Sequence, residues 1–474
     1  MKPRGGFTPG LAVLGLAVLG LAVLGLVMPS VWTPASAAPK TLNDALSAAY
    51  SNNPVLLEER AHLRSIDENV PAALAGWRPT VVLNLSPGYA AGNFTSTGVT
   101  APNNRPVLTE QATLTQPIYR GGRTKAAISQ AENNVRAERS RLIATEEQVF
   151  SDTVNAFVTV IEDQQILALN INNVQVLARQ LQATNDRFRV GEITRTDVAQ
   201  AEAALAGAQA QRETAEGNLQ TARATYRREV GELPDQLVEP QPLALPVKSA
   251  QDANQLAAVN NPNVIAAMYD EAAARSAIDT AFSALMPTLS LQGTGFREAN
   301  TTLAHERSSG GMVTANITVP LYQGGSEYAA VRQARQNEQQ SRKALDDARR
   351  AAIQSATQAW ETLIAARATV DSTRSQIRAN QVALEGVERE ALVGSRTTLD
   401  VLNAQQALLS SQVTLVQNLA ALLNASYQVA ASIGRLTARD LALPVPLYDE
   451  TAYYNAVRDR WFGTGDYATD QPGR

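Results

Sequence analysis

The sequence predicts an α+β membrane protein built as a tandem repeat, with four transmembrane β-strands per chain and very long α-helices. Three observations lead to this fold class. Motifs recur at a constant offset, two runs of nearly 70 residues almost lack Gly and Pro, and the segments before those runs alternate apolar and polar residues. Recurrence at a fixed offset indicates duplication, and alternation with period two indicates strands.

The duplication is visible in two pairs of motifs. VGEITRTDV at 190–198 matches VGSRTTLDV at 393–401, an offset of 203 residues, and the same offset relates QPIYRGG at 116–122 to VPLYQGG at 319–325. Ungapped matches over such a distance indicate two copies of one unit. We therefore predict these segments: first structural repeat 38–236, linker 237–248, second repeat 249–436 and C-terminal tail 437–474.

The first 37 residues have the composition of a secretory signal peptide. A basic start precedes three LAVLG units, and Ala35-Ser36-Ala37 supplies a small-residue cleavage site. We expect the mature chain to begin at Ala38. The alternative is an uncleaved anchor, because the apolar run approaches the ~18 residues that can span a bilayer.

Composition argues against several classes of function. The chain has no Cys, which excludes disulfides, thiolate metal sites and a lipid on an N-terminal Cys. Its net charge of −4 argues against nucleic acid as a partner. His62 and His305 lie in a helical segment and a polar loop, and no ligand partner is evident at metal spacing. We expect no enzyme activity, no metal and no cofactor.

The two long runs predict antiparallel helical hairpins. Residues 123–190 contain no Gly or Pro, and residues 326–393 contain only Gly386. Each run would extend about 100 Å as a helix. Gly191 and Gly394 would then mark reversals into return helices that end near Val230 and Ile433. Seven-residue spacing in the second return helix predicts supercoiling against neighbours, although a plain coiled-coil rod would explain it equally well.

The segments before the long helices favour a membrane sheet. VTANITVPLY at 313–322 alternates strictly, and similar patterns start at Pro79, Leu108 and Pro287. Strands of ~9–11 residues with one apolar face match transmembrane β-strands. Four strands cannot close a barrel, and lipid does not tolerate open edges. We therefore expect a homo-oligomer that shares one barrel, since three chains would supply an even twelve strands.

Other features of each repeat follow from this arrangement. The polar stretches 92–106 and 297–311 are expected to be external loops, which places the helices on the periplasmic side. Six residues are expected to ease the change from strand to helix, and they are Pro117, Gly121, Gly122, Pro320, Gly324 and Gly325. We interpret their role as geometric.

The residues after each tip glycine have the spacing of a helix start. Thr194 with Asp197, and Thr397 with Asp400, fit a capping box in which the hydroxyl and the carboxylate bind backbone N–H groups. Gly191 and Gly394 suit left-handed turn positions. A threefold ring of Asp400 side chains would resemble the charged rings that set ion selectivity in pores.

With IYRGG and LYQGG before the long helices and VGEITRTDV and VGSRTTLDVLNA at the tips, the chain resembles TolC-like outer membrane efflux and secretion channels of the unlipidated branch. The resemblance covers nearly all of the mature chain except the tail from Thr437. It implies a homotrimer whose 12-stranded barrel in the Gram-negative outer membrane continues into a periplasmic α-helical barrel. It also implies a passive exit duct for a tripartite efflux pump or a type I secretion system. The implied partners are outer membrane lipid, a periplasmic adaptor (membrane fusion) protein and, through it, an inner membrane pump or ABC exporter.

The resemblance also implies two functional regions. The first is a periplasmic gate, with contacts across a protomer interface, formed by Arg396, Asp400, Asn403, Thr196 and Asp197. The second comprises adaptor-docking tips formed by Val190, Gly191, Val393 and Gly394. Two positions depart from the family's best-known form. Ala391 replaces a Tyr that helps lock the closed entrance, and Asn403 replaces a second acidic residue, so the entrance should be less anionic.

The residues leave a second class of function open. A periplasmic coiled-coil scaffold or adaptor without a pore would also need long helices and heptads. It would not need the alternating strand pairs, which therefore favour the channel.

Overall fold

The computed structural model describes residues 40–465 and residue 467, and the predicted signal peptide at 1–37 lies outside these described residues. Three short helices open the first repeat. They are α1 (Leu42–Asn52), α2 (Pro54–Asp67) and α3 (Asn69–Leu74). Thr41 forms a capping box at the start of α1, and Asn53 caps α2. These side chains satisfy backbone N–H groups that a helix start leaves unpaired.

Strands and one long hairpin complete the first repeat. The strands are β1 (Thr80–Ala90), β2 (Asn93–Ser96), β3 (Val99–Pro102) and β4 (Arg105–Arg120). The hairpin consists of α4 (Arg123–Arg189) and α5 (Arg195–Val230). Helix α4 has 67 residues, which corresponds to about 100 Å. The long helix and its return are confirmed.

The second repeat follows the same order. Its elements are α6 (Ala250–Asn260), α7 (Pro262–Phe282), β5 (Thr288–Ala299), β6 (Arg307–Thr318), α8 (Ser326–Leu392) and α9 (Thr398–Ser432). Helix α8 again has 67 residues, and Asn261 caps α7 before Pro262 as Asn53 caps α2 before Pro54. The described part of the tail contains α10 (Ala452–Val457). Within the described residues, no helix is both long and apolar enough to cross a membrane.

The two strand pairs join in one antiparallel sheet with the order β1-β4-β5-β6. Strands β4 and β5, one from each repeat, pair in the middle, from Leu108 opposite Ala299 to Arg120 opposite Thr288. Among the described residues, the outer strands β1 and β6 each have a partner on one side only. The expectation of four sheet strands per chain is confirmed.

The limits of the strands differ from the prediction in three places. Strand β6 ends at Thr318, so residues 319–322 are not strand although their alternation continues. Pro320 lies there and has no backbone N–H for a ladder. The expected external loop at 92–106 contains the small hairpin of β2 and β3. The expected loop at 297–311 is mostly strand, because β5 and β6 reduce the connection to residues 300–306.

The main hydrophobic core surrounds the middle of α4. Its largest fully buried side chains include Phe150, Phe157 and Tyr226. Helices α1, α2, α5 and α9 and the chain after α9 also contribute to it. A second cluster between α6, α8 and α9 consists largely of small side chains such as Ala352, Ala356 and Ala359. Small residues allow helices to approach closely but bury less apolar area per residue.

The tail crosses α4 and is fixed there by carboxylates. The Leu436 N–H donates to Glu147 Oε1 at 3.3 Å, and the Ala438 N–H donates to Glu146 Oε1 at 2.6 Å. Burial raises the pKa of Glu147 to about 8, although the bond from Leu436 lowers it. Sequence reasoning left this tail unplaced because its partners lie almost 300 residues away.

Candidate functional site

The two helix tips have nearly identical backbone geometry. Gly191 and Gly394 both have φ of +81°, a left-handed conformation that glycine adopts without steric cost. The Gly191 N–H donates to Phe188 O at 3.0 Å, and the Gly394 N–H donates to Ala391 O at 3.2 Å. The expected turn role of both glycines is therefore present in the structure.

Each tip continues into a capping box. The Asp197 N–H donates to Thr194 Oγ1 at 3.4 Å, and the Thr194 N–H donates to Asp197 Oδ2 at 3.0 Å. The corresponding distances between Asp400 and Thr397 are 3.3 and 2.9 Å. Hydrogen bonds from the two threonines lower the pKa of both aspartates. Both aspartates therefore carry a negative charge at neutral pH.

Arg396 has a partner that sequence reasoning missed. Its Nε donates to Glu390 Oε2 at 2.9 Å, so the ion pair ties the tip loop to the last turn of α8. In the described chain no hydrogen bond joins Arg396 to Thr196 or Asp197.

The first tip carries an equivalent ion pair with the charges exchanged. Arg187 Nε lies 3.0 Å from Glu192 Oε2. Arg187 and Glu390 occupy equivalent repeat positions, 203 residues apart. The duplicated sequence could have revealed both pairs, because each joins a residue of the last helical turn to one five or six positions later.

The remaining tip residues are exposed. Val190 and Val393 are 72% and 81% exposed, and Leu392 is 83% exposed. Asn403 is exposed and lies three residues after Asp400 on α9, so the two share one helix face. The tips thus expose apolar side chains at the turns themselves and polar side chains at the start of the return helix α9.

The strand-to-helix transitions depend on positive φ angles. Gly122 and Gly325 precede α4 and α8 with φ of +85° and +87°. A Cβ on Gly121 would meet Met286 Cβ at 2.6 Å, so this glycine also permits a close approach. Pro117 lies at a register irregularity between β4 and β5, Gly324 has φ of +72°, and Pro320 lies beyond the end of β6.

The four-stranded sheet has one apolar and one polar face. Residues opposite each other in register share a face. One face carries exposed apolar side chains, namely Val81, Leu83, Leu85, Leu114, Leu291, Val313 and Ile317. The other carries hydrogen-bonding side chains, namely Asn84, Gln111, Thr113, Thr115, Gln292, Thr294, Thr314 and Asn316. A sheet with these faces can separate an apolar phase from a polar one.

One side-chain cluster corrects the expectation that His62 lacks a ligand partner. His62 Nδ1 lies 2.7 Å from Glu138 Oε1, and the ligand atoms of Glu59, His62 and Glu138 lie within 4.8 Å of one another. The Glu-x-x-His spacing on α2 was readable in the sequence, but the approach of Glu138 from α4 was not. Arg141 Nη1 donates to Glu138 Oε2 at 3.0 Å. The hydrogen bond between His62 and Glu138 therefore links α2 to α4, and Arg141 of α4 forms an ion pair with the same carboxylate.

Comparison with known proteins gives a consistent result. The model of the family described as "Outer membrane efflux protein" matches residues 45–232 and 253–435. The chain is 36% identical to the outer membrane efflux protein BepC of Brucella suis over 439 residues, covering 92% of this chain and 94% of BepC. It is 24% identical to the outer membrane protein TolC of Escherichia coli, with 91% of each chain covered.

A solved structure shares the fold. The CmeC outer membrane channel of Campylobacter jejuni matches with a TM-score of 0.73 and 17% identity, over 83% of this chain and 85% of CmeC. At this identity the likeness concerns the fold alone. The sheet and the long hairpins thus have the arrangement found in an outer membrane channel.

Proposed function

The chain belongs to the outer membrane efflux protein family, and from that premise we propose that three copies form the exit duct of a tripartite efflux pump or a type I secretion system. The duct lies in the outer membrane of a Gram-negative bacterium and extends into the periplasm. It is a passive conduit without a catalytic step. Its relatives are channels, which argues against the alternative of a scaffold or adaptor without a pore.

The observation that carries this proposal is the pair of open edges on an amphipathic sheet. Strands β1 and β6 have 11 and 12 residues, and neither has a partner on its outer side in the described part of the chain. An unpaired backbone edge in lipid costs several kcal/mol per polar group. Pairing β1 of one protomer with β6 of the next removes every edge. Three chains then complete a barrel with the apolar face toward lipid and the polar face toward the lumen.

The gate of the duct is proposed at the second tip. Asp400 supplies a fixed negative charge, and Arg396 can exchange Glu390 of its own hairpin for Thr196 or Asp197 of a neighbour. Such exposed contacts are individually weak, but threefold symmetry repeats each of them. The exposed tips that include Val190, Gly191, Val393 and Gly394 are proposed to dock the periplasmic adaptor, which in turn recruits an inner membrane pump or ABC exporter.

Single-channel recording in planar bilayers tests the gate. We expect Arg396→Ala to raise conductance, because it removes the link across the interface, and Asp400→Ala to reduce cation preference. The first-tip variant Arg187→Ala is the matched control and should leave conductance nearly unchanged. Equal conductance for wild type and Arg396→Ala would show that the tip is only a turn.

A cross-link provides an independent test of the same contact. Because the chain has no Cys, the pair Thr196→Cys and Arg396→Cys can be oxidised without competing thiols. The oxidised protein should lose transport and recover it with reductant. Full transport by a protein that is demonstrably cross-linked between protomers would refute the gate.

A further inference from the structure

The end of the described tail lies beside the base of the strands. Arg78 Nη1 donates to the Arg460 carbonyl oxygen at 2.6 Å, and the Arg78 guanidinium lies 5.1 Å from the Trp461 ring centre. Arg78 precedes the first residue of β1 by two positions. The tail therefore reaches from the helical core to the level at which the sheet begins.

Two large aromatic side chains at this point are exposed. Trp461 is 65% exposed and Phe462 is 89% exposed. Exposed aromatic residues in adjacent positions are unfavourable in water, and their rings partition well into the interface between water and lipid. In the described chain most of the surface of both side chains is therefore open to the surroundings.

Other aromatic residues mark the same level on the sheet. Trp77 is 42% exposed, and its carbonyl oxygen accepts a hydrogen bond at 2.9 Å from Gln116 near the end of β4. Tyr119 is 46% exposed and pairs in register with Leu289. Leu289 pairs with Ile317 of the apolar face, which places Tyr119 on that face. A collar of Trp and Tyr at strand ends is typical of a membrane boundary.

The charges around the two rings suit phospholipid headgroups. Arg78, Arg458 and Arg460 lie next to the aromatic pair. Within residues 458–462 the acidic residue is Asp459. Arg458 Nη2 lies 3.5 Å from Glu132, and Arg460 Nη1 donates to the Gly465 carbonyl oxygen at 2.6 Å. Arginine next to interfacial aromatic rings can bind lipid phosphate groups.

We propose that Trp461 and Phe462 insert into the headgroup region of the inner leaflet of the outer membrane. The tail then acts as an interfacial lipid anchor that fastens the α2–α4 core to the bilayer. We infer that lipid, and not a second protein, surrounds this aromatic pair. The reason is that the pair lies at the level where the apolar face of the sheet begins. This inference rests on the proposed membrane position of the sheet.

Quenching by brominated phospholipids tests the anchor in the full trimer in liposomes. The sequence contains Trp32, Trp77, Trp360 and Trp461, so replacing all but one with Phe gives single-Trp proteins. Trp461 fluorescence should fall about twofold when the bromine atoms lie near the lipid headgroups, and less when they lie deep along the acyl chains. A protein that retains only Trp360, a half-buried residue of α8, is the matched control and should not be quenched.

A further variant separates this inference from the proposed function. Val313→Trp in the Trp-free background should be quenched most by deep bromine, because Val313 lies on the apolar face near the middle of β6. Iodide, which quenches only Trp residues exposed to water, serves as a second quencher. If bromine quenches the Trp introduced in β6 while only iodide quenches Trp461, the anchor is refuted but the proposed channel is not. If neither residue is quenched by lipid, the membrane position of the sheet is wrong as well.

Discussion

Helices α4 and α8 have the same length and the same glycine-led start, yet their surroundings differ. Phe150 of α4 is fully buried, whereas its repeat equivalent Ile353 of α8 is 38% exposed. Phe157 is likewise fully buried, and its equivalent Trp360 is only partly buried. Helices α1, α2 and α3 and the tail cover α4, which leaves α8 with the more open surface. The duplication thus produced one helix that organises the core of the chain and one whose surface remains available to neighbouring protomers.

The contrast is clearest where the tail crosses. Glu146 and Glu147 of α4 hold backbone N–H groups of the tail, but the equivalent residues of α8 are the exposed Arg349 and Arg350. A buried carboxylate needs a hydrogen-bond donor nearby to replace the water that burial removes. The two copies therefore diverged at the positions where the tail is present in one half and absent in the other.

The first prediction concerns the two faces of β6. Val313→Arg places a charge on the apolar face near the middle of β6, which should cost about 2–4 kcal/mol per chain near the bilayer midplane. Thr314→Arg, at nearly the same depth but on the polar face, is the matched control. Assembly measured by the yield of trimer in outer membrane fractions should fall sharply for the first variant only. Equal yields would mean that the assignment of faces is wrong.

The second prediction compares the two long helices directly. Phe150→Ala should destabilise the chain by about 3–5 kcal/mol, because it leaves a cavity in a closed core. Ile353→Ala at the equivalent position should cost less than about 1.5 kcal/mol, since its side chain is already partly exposed. Thermal unfolding of both variants, followed by circular dichroism in detergent, measures the difference. Similar shifts would contradict the unequal roles of the helices.

A third prediction concerns pH and the contact between α4 and the tail. The pKa of Glu147 rises from 4.5 to about 8 through burial. The folded chain therefore keeps this proton while the unfolded chain loses it, so stability falls as pH rises from 4.5 to about 8. Glu147→Gln should raise the melting temperature at pH 8 by a few degrees and have little effect at pH 4.5.

Arg350→Gln at the equivalent position of α8 is the control for that prediction. Its side chain is exposed, so the difference in melting temperature from wild type should not depend on pH. Asp67, whose pKa burial raises to about 7, will leave some pH dependence of the same sign in the Glu147 variant. A Glu147→Gln protein with the full pH dependence of wild type would show that this carboxyl does not titrate as described.

The smallest expected effect tests the equivalence of the tips. Thr194→Ala and Thr397→Ala each remove a capping hydroxyl, which typically costs about 1 kcal/mol of helix stability. Hydrogen exchange should increase by a similar factor in the first turns of α5 and α9. A response confined to one hairpin would indicate that the assembled trimer protects the other tip.

Much of the fold was predictable because its signals are local and repeated. The two long runs with no Pro and at most one Gly predicted α4 and α8, and the spacing of the capping boxes predicted the starts of α5 and α9 correctly. Strand limits were less accurate, since alternation continues through Val319 and Leu321 after the ladder has ended at Thr318. Pro320 lacks the backbone N–H that a further ladder hydrogen bond would need. The alternation of apolar and polar side chains does not reflect this loss.

The long-range contacts were not predictable from these patterns. Glu390 as the partner of Arg396, and Glu138 as the partner of His62, depend on loop geometry and on which helix face packs inward. The tail carried no periodic signal, so neither its path over Glu147 nor the position of Trp461 beside Arg78 could be inferred. The gate and docking residues remain predictions, because their partners are other chains.

Disulfide cross-linking between β1 and β6 tests the central claim of a barrel shared by three chains. Within one chain these strands lie three strand spacings apart, roughly 14 Å, whereas a disulfide requires Cα atoms about 4.4–6.8 Å apart. We would combine Val82→Cys with Cys substitutions at Met312, Thr314 or Asn316, one at a time, and oxidise the membranes. At least one pair should give a ladder of covalent dimer and trimer that ends at three chains. Failure of every pair to cross-link, or a ladder that continues past three, would contradict the shared barrel.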